Sequence, residues 1–389
     1  EVPLVRVLVR MQRDGVALNV DLLREMAGQL SQELGQIQTD MWATIGHEFK
    51  LSSLQQLAGV LFNELRLPPT KKTKTGFSTD AASLDGLKAF LDSGKAEGVD
   101  PRAYQVLDLI LEYRQLSKIK STYVDALPGL VNPDTGRIHT RYNQTGSATG
   151  RISSNDPNVQ NIPVRTELGR RVRRAFVAQR APEWTLLAAD YSQIELRVLA
   201  HISQDPGLLE AFQRGEDIHS STASLMFDVA LNDVDAEQRR IAKVLNFGVI
   251  YGLSAHGISM QTGFSREEGA SFIEAYFNKY PGISEYLEQV KVKARAEQYV
   301  ETLLGRRRYL PDINSSNFNV RGGAERMAIN MPIQGTAADI MKLAMIRVQD
   351  RLDEEGLRTK MLLQVHDELV FEMPKEEMDA LKELVFDEM

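Results

Sequence analysis

The most constraining feature of this chain is the distance between its strongest strand signals. Trp184–Asp190 is a short apolar run that reads as a buried strand ending in an acid. Met361–Val365 and Leu369–Glu372 are two more, with His366, Asp367 and Glu368 between them as an acidic hairpin tip. About 170 residues separate the first run from the hairpin, and most of them carry helical periodicity. A β-containing centre must therefore be assembled from distant segments, with helical material inserted between them. The chain has 389 residues, enough for two to three domains.

Residues 19–45 predict one long amphipathic helix with Asp21 as N-cap, because Leu23, Met26, Leu30, Leu34, Ile37 and Met41 recur every three or four positions. Further helices are expected after Ser52 and after Pro101, with a basic aperiodic loop over 68–80 between them. A turn cluster at 132–136 closes this helical module. Residues 137–143 alternate like a strand, and 149–169 form a long polar loop of the kind that is usually functional. Helices are expected over 193–202, 235–258, 266–279, 284–298 and 324–355.

Composition narrows the chemistry. There is no cysteine, which excludes disulfides and zinc–thiolate sites. The histidines contain no H-E-x-x-H pattern, and Walker and G-x-G-x-x-G motifs are absent. No apolar run approaches the roughly 20 residues needed to span a bilayer. The net charge of −7 is concentrated at the C-terminal end: residues 350–389 sum to −8 and the first 349 to +1. Within that near-neutral body lie six arginines between Arg165 and Arg180, the lysines 71, 72 and 74, and the triplet Arg306–Arg308. Such patches together can bind phosphate, although any one of them taken alone reads as solvated surface.

Four segments carry possible chemistry. Asp190, at the end of a strand and before a helix, suits a divalent-metal ligand, although Asp or the neighbouring Ser192 also serves routinely as an N-cap. Asp367 at the hairpin tip could be a turn residue or a partner carboxylate on an adjacent strand, the pair bridging two Mg²⁺ ions. The helix from Asp235 begins with a capping-box pattern and sets Arg239, Lys243, Phe247 and Tyr251 at spacing four. These four form one shallow spiral stripe, cationic and then aromatic. A core stripe would be apolar throughout, and a solvated one would not end in two rings. The gradient fits a nucleoside triphosphate laid along the helix, phosphates first and base last. The polar loop from Thr149 through Pro163 supplies amides and arginine suited to phosphate and groove acceptors, or to Asx turns.

Together these residues resemble the signature motifs of family A DNA polymerases. The motifs are Asp190–Arg197, Arg239–Gly252 and Gln364–Glu368, with Thr149–Pro163, Asn330–Asp339 and Ser117–Tyr123 matching in order and spacing. The resemblance runs over essentially the whole chain and is closest to the large-fragment polymerase region of the bacterial enzymes. It implies an α+β right-hand fold with an antiparallel-sheet palm and mostly helical thumb and fingers. The palm would take residues 1–25, 134–194 and 337–389, the thumb 26–133 and the fingers 195–336. It implies DNA-directed DNA synthesis by two-metal phosphoryl transfer, with Asp190, Asp367 and the Tyr191 carbonyl holding two Mg²⁺ (or Mn²⁺) ions.

The same resemblance assigns the nucleotide to Ser192, Gln193, Ile194, Glu195, His219, Arg239, Lys243, Phe247 and Tyr251, with Lys243 as proton donor to pyrophosphate. It assigns the primer–template to Arg151, Asn158, Gln160, Arg326, Gln334 and His366. A monomer in the bacterial cytoplasm, associated with the nucleoid, is expected, acting on dNTPs and DNA and not on membranes. The chain as it stands carries no proofreading nuclease motif, and the hairpin is expected to be followed by a couple of dozen further residues in relatives. A phage-type RNA polymerase is disfavoured by Glu195, which would crowd a ribose 2′-hydroxyl. A silent DNA-binding protein would not need both carboxylates, and a nuclease gains nothing from the graded helix.

Overall fold

The structure, a computed structural model, describes residues 1–74, 76–94, 96–163, 166–252 and 254–389. It divides into two compact units, one of residues 1–15, 140–160 and 180–389, the other of 16–139 and 161–179. The expected palm segment 134–194 is thus divided between them.

In the first unit the distant strands do meet. Glu368–Pro374 is the middle strand of a three-stranded antiparallel sheet, flanked by Lys360–Val365 and Trp184–Asp190. The register pairs Glu368 with both Val365 and Asp190. Consequently the hairpin turn and the end of the 184–190 strand fall at the same end of the sheet. Trp184–Asp190 is an edge strand and only half-buried, with Asp190 exposed, where the sequence suggested full burial. An edge strand lacks the second neighbour that would cover it.

One face of this sheet is packed by three helices. Leu4, Val7, Leu8 and Met11 of Val2–Asp14 are buried with Met341, Met345 and Val348 of Phe318–Glu354 and with Leu381 and Leu384 of Met378–Glu388. They pack on Leu369, Phe371 and Met373. Phe318–Glu354 is the long rod of the unit, 37 residues and about 55 Å. A second core is built by the helices between 194 and 340, around the fully buried Tyr276 and Tyr280.

The 236–258 region departs from the single helix expected. Ala236–Ile250 ends at Gly252, whose φ of +63° is left-handed, and a new helix, Ala255–Thr262, is capped by Ser254. Gly252 also lies against Arg326: a Cβ there would sit 2.9 Å from the Arg326 Cγ. The glycine is needed for both backbone sign and close approach.

The second unit is mainly helical. Val20–Ile45 and Ala103–Ile119 run as expected, but the first is capped by Asn19, whose side chain accepts from the Leu22 amide at 3.0 Å. Asp21 instead occupies the first turn, where its charge favours the helix dipole. The helix after Ser52 is short, Leu54–Ala58 capped by Ser53, and continues as a wider turn over Gly59–Glu64. The basic loop contains a small hairpin, Lys72–Thr73 with Gly76–Phe77, followed by the helix Ala81–Asp92. Val16–Leu18, Arg137–Ile138 and Phe176–Val177 form a small antiparallel sheet. The 137–143 strand is therefore two strands, because Arg141–Asn143 pairs separately with Ser153–Asn155 in the first unit. Within the loop of 149–169, Glu167–Arg174 is a helix carrying four of the clustered arginines, and Arg165 lies outside the described residues.

Candidate active site

The two carboxylates sit at the shared end of the sheet. Asp190 closes the edge strand, and Asp367 lies in the turn between the other two. The Tyr191 amide donates to the Asp367 carbonyl at 3.1 Å and pins the strand end to the turn. His366 in that turn is left-handed, φ +57°. The helix after Asp190, Ile194–Ser203, has Gln193 at its N-cap position without any side-chain cap bond. Neither Asp190 nor Ser192 is spent on capping. Partial burial, then the neighbouring charges of Asp367 and Glu368, push the Asp190 carboxyl up to about 6. Among the described residues no ion pair joins Asp190 or Asp367 to a lysine or arginine, so these two carboxylates carry no directly bonded cation of the chain.

This donor set fits a small hard cation. Among the described residues no three acids or histidines gather as a complete cage. A cation would rest on two carboxylates and draw its other ligands from backbone oxygen, water or phosphate, which is the habit of Mg²⁺.

Glu195 connects this pole to the graded helix. It lies five residues after Asp190, is buried, and is bound from two sides. Arg151 Nη2 donates to its Oε1 at 2.5 Å, and the Tyr251 hydroxyl donates to its Oε2 at 3.2 Å. Gln334 reaches the same hydroxyl. Burial and the adjacent Glu195 raise the Tyr251 hydroxyl above its ordinary value.

The stripe itself is as the spacing required. Asp235 and Gln238 form the reciprocal cap: the Gln238 amide donates to Asp235 Oδ1 at 2.8 Å, and the Asp235 amide to Gln238 Oε1 at 3.0 Å. Lys243 is exposed, with Nζ 6.0 Å from the Phe247 ring centre. Arg239 is already engaged: its Nε and Nη2 donate to Asp217 at 3.1 and 2.8 Å. Burial opposes ionisation of Asp217, but Arg239 and the Ser220 amide outweigh it and hold the carboxyl at about 2. His219 lies beside the stripe, its ring 5.6 Å from that of Phe247. Burial keeps it neutral, down at about 4, with Asp217 opposing and Arg239 and Lys243 reinforcing the shift.

Of the remaining predicted contacts, Arg151 and His366 line a cleft with Ile194, Lys342, Gln364 and Asp367, whereas Arg326 lines a separate pocket with Gly252. Gln160 is turned inward, its amide donating to the carbonyls of Ile152 and Gln364, both at 3.1 Å. Asn158 closes an Asx turn on the Gln160 amide at 3.0 Å. Arg326 is exposed beside Gly252. Sequence reasoning missed the support beneath Arg151. Gly150, φ +81°, lies so close to Arg306 that a Cβ would sit 2.5 Å from its Nε. Arg306 is in turn held by Asp339 through Nε at 2.8 Å and Nη2 at 2.6 Å. The sequence marked Arg306 only as one of a basic triplet.

Residues 20–389 match the family model for DNA polymerase family A. The chain belongs to DNA polymerase family A. It is 52% identical over 386 residues to the thermostable DNA polymerase I of Thermus thermophilus, covering 99% of this chain and 44% of that protein. It is 48% identical over 385 residues to DNA polymerase I of Geobacillus stearothermophilus, covering 99% and 42%. The chain thus spans somewhat under half the length of these curated relatives. Among solved structures, the POL domain of Pol1 from M. smegmatis, in complex with DNA primer-template and dNTP, superposes with a TM-score of 0.91 at 45% identity. That match covers the whole of this chain and 66% of the other. The mixed fold with an antiparallel sheet is therefore the family A polymerase-domain fold. Among the described residues no helix is long and apolar enough to cross a membrane.

Proposed function

We propose that this chain is a template-directed DNA polymerase domain that adds dNMP from a dNTP to a primer 3′-hydroxyl and releases pyrophosphate. The observation that carries the proposal is the span from Asp190 and Asp367 through Glu195 to Tyr251. It joins a pair of carboxylates at one end of the sheet to a helix graded from cation to ring. The Pol1 domain it superposes on holds primer-template DNA and dNTP.

In this reading Asp190, Asp367 and the Tyr191 carbonyl would hold two Mg²⁺ ions, for which Mn²⁺ could substitute. Bound there, the ions supply Lewis acidity to the primer hydroxyl and the departing pyrophosphate. The chain's own residues do the rest. Lys243 and Arg239 bind the triphosphate as charge-assisted donors, Arg239 exchanging part of its contact with Asp217. As the primer 3′-oxygen loses its proton to solvent and bonds to the α-phosphorus, the bond from that phosphorus to the bridging oxygen breaks, and Lys243 donates the proton that pyrophosphate takes up. Phe247 stacks beneath the incoming sugar and base, and Tyr251 fills the templating position until a nucleotide enters. The 192–195 segment lies along the triphosphate and sugar. Arg151, Asn158, Gln160, Arg326, Gln334 and His366 contact the primer–template near its 3′ end. Minor-groove acceptors recur on every correct pair, so donors such as Arg151 and Gln334 test pair geometry without reading sequence. The palm would be 1–25, 134–194 and 337–389, the thumb 26–133, and the fingers 195–336. A bacterial, cytoplasmic monomer working at the nucleoid fits this role.

The test is primer extension with dNTPs, with rNTPs and without nucleotide, on the parent and on Asp190→Asn and Asp367→Asn. The parent should extend with dNTPs only. Each variant should lose orders of magnitude in rate while primer–template affinity changes little. Near-parental extension by either variant would remove the assignment of the two carboxylates.

A further inference from the structure

Behind the graded helix lies a wholly buried polar network that the proposed reaction does not use. Asn246 is on the inward face of Ala236–Ile250 and fully buried. Its Nδ2 is 3.1 Å from His219 Nδ1 and donates to Thr222 Oγ1 at 3.0 Å. Its Oδ1 accepts from the Tyr276 hydroxyl at 3.1 Å. Thr222 donates its single hydrogen to the Ile218 carbonyl at 2.8 Å, and its oxygen lies 3.1 Å from the Tyr280 hydroxyl.

Thr222 has one hydrogen, and the backbone carbonyl at 2.8 Å takes it. The Asn246 amide oxygen also lies within reach, at 3.2 Å, but the shorter bond to the carbonyl takes the hydrogen, so toward Asn246 the threonine oxygen accepts and the NH₂ end of the amide faces it at 3.0 Å. Tyr276 donates to the other end, which agrees with this orientation. The second amide hydrogen therefore points at His219, whose Nδ1 can only accept it. The imidazole proton is left on Nε2, for which no hydrogen-bond partner is present among the described residues.

We infer that Asn246 is a positioning residue: it fixes His219 as the neutral Nε2–H tautomer, presenting one uncharged donor to the phosphates held by Lys243 and Arg239. The inference deepens the proposed nucleotide site and rests on that reading for the identity of the ligand. The charged groups facing His219 are Asp217 at the start of its own helix and Arg239 and Lys243 opposite. The net effect with burial is a ring held neutral. A neutral donor suits a site that already has two cations. It adds direction without adding a third charge that must be desolvated.

The experiment is ¹⁵N-histidine NMR on the full chain, which has six histidines, with His219 assigned by its disappearance in His219→Gln. The parent should show His219 protonated at Nε2 only, with no titration from pH 5.5 to 8. Protonation at Nδ1 in the parent would overturn the inference without recourse to any variant. Asn246→Asp offers an acceptor where the amide offered a donor. It should move the proton to Nδ1 and bring a titration into the neutral range. In extension assays it should raise the dNTP KM about tenfold, the loss of one hydrogen bond to a charged group, with a smaller fall in kcat and a new pH dependence. An Asn246→Asp protein that keeps the Nε2–H tautomer would equally overturn it. Adding dNTP to the parent with a 3′-terminated primer–template should shift the Nε2 resonance. If Nε2 stays unmoved while Nδ1 remains an acceptor, the phosphate contact is wrong and the role of Asn246 stands.

Discussion

The Tyr251 hydroxyl and Glu195 are joined at 3.2 Å, and Arg151 occupies the other carboxylate oxygen at 2.5 Å. Glu195 is thus a buried acid with both oxygens in use, beside the position where the proposed mechanism sets the sugar. A ribose 2′-hydroxyl entering there must clash or break one of these bonds, at a cost of about 1–3 kcal/mol. Glu195→Ala should therefore raise the rNTP-to-dNTP incorporation ratio by about one to two decades. The metal-binding acids are untouched, so dNTP extension should persist. An unchanged ratio with dNTP extension intact would mean that Glu195 is not the sugar gate.

Lys243 is the cation of the stripe with no carboxylate partner among the described residues, whereas Arg239 is bound to Asp217. It is free to meet a triphosphate. Lys243→Ala should weaken dNTP binding and slow the chemical step together, because the lost charge acts on ground-state phosphate and on the leaving group. Pre-steady-state extension over a dNTP titration separates the two. If only the binding constant moves, Lys243 is a phosphate anchor and not the proton donor.

Stability in the first unit should depend on Asp205. It is fully buried, and Oδ1 accepts from the Gly207 and Leu208 amides at 3.0 and 3.2 Å while Oδ2 accepts from the Gly282 amide at 3.0 Å. One carboxylate caps Pro206–Gln213 and ties it to the start of Pro281–Glu297. Asp205→Ala removes the cap and strands buried donors, costing about 3 kcal/mol. The guanidinium midpoint should fall with the slope unchanged. Asp205→Asn, which keeps one acceptor, should lie between.

How far the sequence reached depends on whether a residue's task shows in its own neighbourhood. The 236–250 stripe was legible because periodicity and chemistry coincide on one helix, and its reciprocal cap is present as the Asp235-to-Gln238 pattern required. Asp190 and Asp367 were legible as strand-end and turn acids. Their meeting needed the pairing of Glu368 with Asp190, a contact across 178 positions that no local pattern encodes. The helices Val2–Asp14, Ala81–Asp92, Pro206–Gln213 and Ile218–Phe227 went unread, and His219 entered only through the family resemblance. Asn246 stood inside a quoted motif, but a single amide on an apolar face gives no sign of the three side chains that converge on it. The break at Gly252 was hidden because periodicity resumes on its far side. What made the glycine necessary was Arg326, supplied from a helix more than 70 residues on.

The Asp217–Arg239 pair gives the pH dependence its sign. Asp217 is held at about 2 in the folded chain, below the 3.8 it would have without its partners. As pH falls, the unfolded chain takes up this proton first. The pair's contribution is therefore complete above about pH 4 and is lost as pH drops toward 2. The side chains are about 40% exposed, so solvent screens the interaction and the effect is modest. Asp217→Asn keeps an oxygen to accept from the Ser220 amide and loses the charge. Its unfolding midpoint should lie below the parent's by a constant amount from pH 7 down to about 4, and the two should converge between 4 and 2. Raising salt at pH 7 should narrow the same gap. Curves that stay parallel down to pH 2 would show that the difference between the two proteins does not come from the ionised carboxylate.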